Sequence, residues 1–297
     1  MYHNPVMLNE AIDGLNIQSA GVYVDVTYGS GGHSKAILKR LGAEGKLIVF
    51  DQDEDAEQNL IEDERIVFVP QNFRHLKRFL KYHGVNQVNG ILADLGVSSH
   101  QFDKAERGFS IRFDAELDMR MSKTSGLTAF KVLQEYDEKE LLRIMSEYGE
   151  VHNAKTLVRR IIEERNIKSF DSTFDLMQRM NSIVYGNPNA YFAKVFQALR
   201  IEVNEELKVL NEFLMQCYDV LKVDGRLVVM SYHSLEDRMV KNFIKTGNTT
   251  GDEEKNMFGV STKYFKAINK KVITPTEEEI KINPRSRSAK LRIAEKI

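Results

Sequence analysis

The residues best suited to chemistry lie in a glycine turn between a strand pattern and a helix pattern. Asp25 closes an apolar run that begins at Val22, and Gly29, Gly31 and Gly32 follow it. Glycine tolerates positive φ and lets a ligand approach the backbone closely, and the next helix offers amide donors at its N-terminus. The turn therefore predicts a nucleotide-type ligand at the end of the first strand. A tight turn without a ligand is the plainer alternative.

The glycine spacing and the charge of Asp25 separate two classes of cofactor. A dinucleotide site usually carries Gly-x-Gly-x-x-Gly, which brings amides against a pyrophosphate, whereas the glycines here are spaced Gly-x-Gly-Gly. Asp25 would repel a pyrophosphate, but it suits a ligand that carries an ammonium and a sulfonium. The pattern favours S-adenosylmethionine as the cofactor and disfavours NAD, and with NAD a dehydrogenase.

Three further candidate residues stand where other strand patterns end. Asp51 follows the apolar run Lys46–Phe50, about 20 residues after the glycine turn, where a carboxylate binds a ribose diol. A helix N-cap is its alternative role. Asp94 closes the run that starts at Gly90, and Phe73 begins the helix after the third strand pattern. Because the carboxyl ends of parallel strands meet at one edge of a sheet, we expect these residues to surround one ligand.

Strand and helix patterns alternate with short connections along the first third of the chain, which predicts a parallel sheet of the α/β class. A first helix is predicted to begin at Pro5 with Asn4 as its cap, and a polar helix is predicted over 53–62. Two late strand patterns are predicted to close the sheet as an antiparallel pair, Tyr264–Ile268 and Ala289–Ala294.

The alternation stops after Asp94, and the next strand pattern is Gly225–Ser231. The residues between them are helical in pattern, and 192–221 predicts a long helix with a break in it. We therefore predict a helical subdomain inserted into the sheet domain. The expected ranges are 1–104 for the first part of the sheet domain, 105–195 for the insertion and 196–297 for the second part.

The composition is that of an ordinary globular protein, with 42% hydrophobic and 29% charged residues in a chain of 297. No apolar run approaches the roughly 20 residues that cross a bilayer, and the first residues lack the pattern of a signal peptide. A cytoplasmic protein with no membrane partner is expected. The one cysteine, Cys217, excludes an internal disulfide and a cysteine-rich zinc site. It lies in an apolar helical stretch, which predicts a packed core residue.

The basic residues are concentrated in two segments, although the net charge of the chain is only −1. The first segment contains Lys155, Arg159, Arg160 and Arg165, and the second runs over 263–296. A solvated protein face is the ordinary explanation of a charged segment. Two separate basic segments nevertheless indicate a polyanion such as a nucleic acid as the partner.

Several longer segments are far more specific than the glycine turn. They are Ala93–Gln101, Glu106–Ser110, Leu117–Met121, Phe196–Ile201, Ser231–Arg238 and Asn283–Arg292. Together with Tyr23–Ser34 they resemble the RsmH (MraW) family of bacterial 16S rRNA methyltransferases, in order and over nearly the whole chain. The resemblance implies a class I, Rossmann-like sheet dependent on S-adenosylmethionine, with an inserted helical subdomain for substrate recognition. It also implies the N4 amino group of a cytidine in the decoding region of 16S rRNA as the methyl acceptor.

The resemblance further implies which residues hold the cofactor. The matching positions are Gly31, Gly32, His33, Asp51, Phe73, Asp94 and Gln101. The glycine-turn argument adds Asp25 and Gly29 to this set. The candidates near the acceptor base are Asp94, Ser98, Ser99 and His233, with catalytic roles assigned to Asp94, His233 and Ser98. Asp94 could serve the cofactor alone, and His233 could instead start a helix.

The partner that the resemblance implies is 16S rRNA in the small ribosomal subunit, with no metal expected. A monomer and a homodimer are both left open. Two segments depart from the family pattern: Asn187–Val195, and a loop around Thr246–Met257 that is shortened. Both put substrate contacts in question more than the donor site. A non-catalytic RNA-binding assembly factor on a methyltransferase fold is the alternative function.

Overall fold

The structure of the protein is a computed structural model, which describes residues 5–96, 107–122, 125–253 and 263–297. The chain divides into two compact units. The sheet unit comprises residues 1–96 and 207–297, and the helical unit comprises residues 97–206. The predicted insertion covered 105–195, so its second boundary would run through a continuous helix, Pro188–Val203.

The sheet unit contains a seven-stranded sheet in the order β3-β2-β1-β4-β5-β7-β6. The strands are β1 Val22–Asp25, β2 Lys46–Phe50, β3 Ile66–Val69, β4 Val88–Asp94, β5 Leu221–Ser231, β6 Phe265–Ala267 and β7 Lys290–Lys296. β1 to β5 are parallel, whereas β7 pairs antiparallel with β5 and β6. The predicted α/β fold class, a class I (Rossmann-like) sheet, and its closing antiparallel pair are confirmed.

Twelve α-helices lie among the described residues, and irregular segments such as 107–122 and 268–276 connect some of these elements. The helices are α1 Leu8–Gly14, α2 Gly32–Arg40, α3 Glu54–Glu57, α4 Leu76–Tyr82, α5 Ala129–Glu135, α6 Glu138–Arg143, α7 Ala154–Ile167, α8 Thr173–Met180, α9 Pro188–Val203, α10 Glu206–Val220, α11 Ser234–Thr246 and α12 Glu277–Ile282. The predicted break in the helix over 192–221 is confirmed, because Glu205 with a φ of 50° separates α9 from α10.

Two helices begin or end elsewhere than the sequence predicts. α1 begins at Leu8, not at Pro5, because Met7 has a left-handed φ of 45° and donates its N–H to Glu279 Oε1 at 2.7 Å. The predicted cap Asn4 lies outside the described residues. The helix predicted over 53–62 is only the short α3, since this acidic stretch has few apolar residues to bury.

The sheet is covered on both faces, so its strands are buried and its carboxyl edge is left for ligands. Val24 and Ile48 point to the face that packs with Cys217 of α10, whereas Leu47 and Leu92 point to the other. Cys217 is fully buried, which confirms the predicted core role.

The helical unit has its own hydrophobic core, and every regular element in its described residues is helical. Leu141, Leu157, Leu176 and Phe192 bring α6, α7, α8 and α9 into this core. A capping box starts α6, because Asp137 accepts from the Glu140 N–H at 2.8 Å and returns its own N–H to the Glu140 carboxylate at 2.9 Å.

Candidate active site

Three carboxylates meet at the carboxyl edge of the sheet, each from a different strand. β1 lies between β2 and β4, and Asp25 is level with Val49 and Leu92 in the strand register. Asp51 and Asp94 extend just beyond these two partners, so all three acids belong to one edge. Parallel pairing in register thus brings together residues that are far apart in the sequence.

Asp25 is a buried anchor for the glycine turn. Its side chain is 1% exposed and accepts hydrogen bonds from the Ser34 hydroxyl at 2.6 Å and from the Thr27 N–H at 3.1 Å. Burial raises the pKa of this carboxyl, while these hydrogen bonds act in the opposite direction. Asp25 therefore fixes the shape of the turn and the start of α2 from beneath them.

The glycine turn has two kinds of glycine. Gly29 has a φ of +55°, and a Cβ added to it would meet no atom within 4 Å, so open space lies in front of it. At Gly31 a Cβ would come within 2.6 Å of the Tyr28 hydroxyl, and at Gly32 within 2.3 Å of Pro5. The first glycine leaves room for a ligand, whereas the other two are required by close packing.

Asp51 joins the end of β2 to the glycine turn. Its Oδ2 accepts the Gly29 N–H and its Oδ1 accepts the Asp53 N–H, both at 2.8 Å. Burial is the main reason that the pKa of Asp51 is raised to about 6. Each carboxylate oxygen can accept more than one hydrogen bond, so Asp51 retains capacity for two hydroxyls of a sugar.

Asp94 is held by groups on two other segments. Its Oδ1 accepts the Tyr232 hydroxyl at 2.7 Å, and its Oδ2 lies 3.7 Å from His33 Nδ1. His33 is itself oriented by a 3.1 Å contact between Nε2 and the Val6 carbonyl, to which Nε2 donates. Burial raises the pKa of Asp94, and the proximity of His33 opposes that shift. This carboxyl therefore has a defined orientation at the ligand edge.

Tyr232 is a site residue that the sequence reading missed. It follows β5 directly, and Met230 of β5 is level with Asp94 in the register. A Cβ at Gly96 would lie 3.3 Å from the Tyr232 ring, so this glycine gives the ring room. The pKa of Tyr232 is raised well above its usual value because the phenol is buried beside Asp94. The signal available in the sequence was the position of Tyr232 directly after the strand pattern Gly225–Ser231.

Of the other candidate residues, the structure describes Phe73 and His233. Phe73 begins a 3-10 turn after β3, and its ring packs edge-on against Phe213 with centroids 5.2 Å apart. His233 is the N-cap of α11, where its Nδ1 accepts the Glu236 N–H and its Nε2 lies 3.1 Å from Glu236 Oε1. His233 therefore has the helix-start role that the sequence left open. The remaining candidates lie outside the described residues: Ser98, Ser99 and Gln101.

A helix that crosses a bilayer must be both long and apolar. Within the described ranges, none combines the length and the apolar character needed to span one.

One family model and several known proteins match this chain along nearly its full length. The family model described as the MraW methylase family matches residues 1–297. "Ribosomal RNA small subunit methyltransferase H" of Flavobacterium johnsoniae is 54% identical over 297 residues, which is 100% of this chain and 98% of that protein. The protein of the same name from Flavobacterium psychrophilum is 58% identical over 291 residues, covering 98% and 100%. That of Christiangramia forsetii is 50% identical, covering 100% and 98%.

Proposed function

Because this chain belongs to the MraW methylase family, we propose that it methylates 16S rRNA of the small ribosomal subunit in the cytoplasm. S-adenosylmethionine is the donor, and the N4 amino group of a cytidine is the acceptor. The observation that carries the proposal is the full-length match to relatives named small subunit rRNA methyltransferases. The cytidine N4 position follows from the resemblance of the sequence motifs.

The donor fits the carboxyl edge of the sheet. Asp51 presents carboxylate oxygens to the ribose hydroxyls, and the open space at Gly29 accepts the backbone-facing part of the ligand. Phe73 provides an apolar ring after β3 for the flat base. When it is bound, S-adenosylmethionine supplies a methyl group on a sulfonium, whose departure as a neutral thioether needs no acid.

The main task of the chain is to align donor and acceptor, because methyl transfer is an in-line displacement. The N4 amine of cytosine is a weak nucleophile, since its lone pair is delocalised into the ring. A carboxylate that accepts its N–H bonds makes the lone pair more available. Asp94 is the best candidate, because Tyr232 and His33 orient it at the edge. His233 is the weaker candidate, since both its nitrogens face Glu236.

The position of Cys217, the only cysteine, argues against methylation of cytosine at carbon 5. Methylation of cytosine at carbon 5 normally needs a thiolate that adds to carbon 6. Cys217 is fully buried in α10, and burial raises the pKa of its thiol well above the usual value. An amine or a ribose hydroxyl needs no thiolate, and the family resemblance selects the amine.

The decisive experiment is methyl transfer from labelled donor to small ribosomal subunits that lack the modification. The product RNA is hydrolysed to nucleosides, and N4-methylcytidine is expected. A Cys217→Ser variant, folded as judged by circular dichroism, should retain activity. A methyl group on ribose or on carbon 5 would overturn the acceptor assignment. RNA binding without any methyl transfer would favour the non-catalytic assembly factor instead.

A further inference from the structure

Two aromatic rings are stacked on the surface of the helical unit. The rings of His152 and Tyr185 have centroids 5.0 Å apart and an interplanar angle of 30°. Tyr185 is 67% exposed, and His152 is also exposed. Single exposed apolar residues are common and need no explanation, but two exposed rings stacked on each other offer a flat surface. We refer to them as the aromatic pair.

The aromatic pair is held by its neighbours. Asn153 follows His152 and donates its Nδ2 to the Ile183 carbonyl at 2.8 Å, which fixes the segment just before Tyr185. On the other side of Tyr185, Asn187 caps α9 by accepting the Ala190 N–H at 3.1 Å. The exposed ring of Tyr185 is thus presented between two anchored points.

A cationic surface lies next to the aromatic pair. His152 also lines a surface cleft of about 300 Å³ whose other lining residues include Ser146, Lys155 and Thr156. Lys155 is exposed in the first turn of α7, and Arg159 is exposed one turn further along. We refer to Lys155 and Arg159 as the cationic pair. The cleft therefore has the ring of His152 and the ammonium group of Lys155 in its lining.

Only two of the four cations in this basic segment are available to an anion. Arg160 is paired with Glu164 at 2.5 Å, and Arg165 donates to the carbonyls of Leu133 and Tyr136. In the part of the chain that the structure describes, neither residue of the cationic pair has an ion-pair partner. Exposed unpaired cations exert their charge on solvent and on any polyanion that approaches.

We propose that the aromatic pair and the cationic pair form a binding site for single-stranded RNA in the helical unit. An unpaired base stacks on the exposed ring of Tyr185, and the adjoining phosphates contact Lys155 and Arg159. Single-stranded nucleic acids are bound in this way, by aromatic platforms beside a positive groove. An acidic peptide would use the cations but has no flat base to stack. The site rests on the proposed function only in taking RNA as the substrate class.

The aromatic pair is tested by fluorescence anisotropy with a labelled single-stranded RNA of about ten nucleotides and the full chain. Tyr185→Ala should weaken binding about tenfold, whereas Tyr185→Phe should retain it, because stacking needs the ring and not the hydroxyl. The matched control is Tyr82→Ala. Tyr82 is 79% exposed beside His83, but those rings meet edge-on, 5.1 Å apart at 90°. Equal affinities for Tyr185→Ala and the unaltered chain would overturn the proposal.

The cationic pair is tested by the salt dependence of the same binding. Removing both charges with Lys155→Ala and Arg159→Ala should reduce the slope of log affinity against log salt by about 1.4, because two phosphate contacts are lost. Lys139→Ala is the control, since Lys139 is an exposed cation of α6 in the same unit. An unchanged slope in the double variant, or the same change with Lys139→Ala, would refute the phosphate contacts.

Methyl transfer separates this site from the proposed function. With small ribosomal subunits as substrate, Tyr185→Ala should raise KM about tenfold and leave kcat unchanged, while calorimetric donor binding is unaltered. If the chain transfers no methyl group but Tyr185→Ala still weakens RNA binding, the site stands and the function falls. If methyl transfer proceeds and Tyr185→Ala changes neither RNA binding nor KM, the function stands and the site falls.

Discussion

The carboxyl edge of the sheet unit and the cleft surface of the helical unit use charge in opposite ways. At the sheet edge, Asp25 and Asp94 are largely buried and hydrogen-bonded within the protein. On the helical unit, Lys155 and Arg159 are exposed. A small ligand is best held by groups oriented in advance, whereas a polyanion is bound through exposed charge that releases counterions.

This difference has a consequence for mutation. A buried carboxylate contributes to both stability and ligand binding, because its removal leaves buried donors without a partner. An exposed cation contributes to binding alone, because the folded chain does not depend on it. The two regions should therefore respond differently to substitution.

The largest expected effect is on the stability of the sheet unit. Asp25→Ala leaves the buried Ser34 hydroxyl and the partly buried Thr27 N–H without their acceptor, so the free energy of unfolding should fall by about 3 kcal/mol. Urea denaturation measures it. Lys155→Ala, the control from the helical unit, should change the value by less than about 0.5 kcal/mol. Similar losses in both variants would remove the contrast between the two regions.

Donor binding should depend next most strongly on Asp51. Asp51→Ala removes the proposed acceptor of the ribose hydroxyls and should weaken S-adenosylmethionine binding by roughly 1–3 kcal/mol. Calorimetry measures this, and NAD should not bind to either protein. Tight binding of NAD, or unchanged donor affinity in the variant, would be incompatible with the assigned site.

The raised pKa of Asp51 also predicts how donor binding and stability change with pH. Because the carboxylate form is the better acceptor, donor affinity should fall as the pH drops through about 6, the pKa of Asp51. The free energy of unfolding should change with pH in the opposite direction. The folded pKa of Asp51 lies above its usual value of 3.8, so protonation favours the folded state. This contribution to stability is fully present below about pH 3.8 and is lost as the pH rises through about 6. Asp51→Asn should remove the Asp51 contribution to both pH dependences. Calorimetry over about pH 5 to 8 and denaturation over about pH 3 to 8, each compared with the unaltered chain, measure the two effects.

Tyr232 should have a smaller effect that still distinguishes the ligand edge from the rest of the sheet. Tyr232→Phe keeps the ring but removes the hydrogen bond that orients Asp94. Because the family resemblance also assigns Asp94 to the cofactor, donor binding should weaken by about 1 kcal/mol. Tyr23→Phe is the matched control. The Tyr23 hydroxyl is engaged by the Gln18 N–H at 2.8 Å, and Tyr23 precedes Asp25 in β1. The control should lower stability without changing donor affinity, and an equal loss of affinity in both variants would contradict the role of Tyr232.

The smallest expected effect lies between two neighbouring arginines of α7. Arg160→Ala removes the ion pair with Glu164 and should lower stability by about 0.5 kcal/mol. Arg159→Ala should leave stability unchanged and weaken RNA binding instead. Thermal denaturation and RNA titration of the two variants measure both effects. If Arg159→Ala lowered stability and Arg160→Ala weakened RNA binding instead, exposure and ion pairing would not distinguish cations that bind RNA from cations that stabilise the fold.

Much of the sheet edge was predictable from the sequence because its signals are local. The glycine turn, Asp51 and Asp94 all follow apolar runs, and each run forms a strand in the structure. Strand ends are determined by patterns a few residues long, and parallel order then places the acids together. The capping box of α6 was predictable for the same reason, since its two residues are neighbours on one helical turn.

The tertiary structure alone decided the partners of these residues. Tyr232 and Asp94 are 138 positions apart, and only the pairing of β4 with β5 joins them. His152 and Tyr185 stack because the turn before α7 meets the segment before α9, and no periodicity in the sequence relates them. The sequence shows four basic residues in α7 and does not tell which of them are paired. Packing assigns Arg160 and Arg165 to internal partners and leaves the other two exposed. The local sequence pattern determines the position of a side chain in its helix or strand. Its burial and its bonding partner depend on which other parts of the chain pack against it.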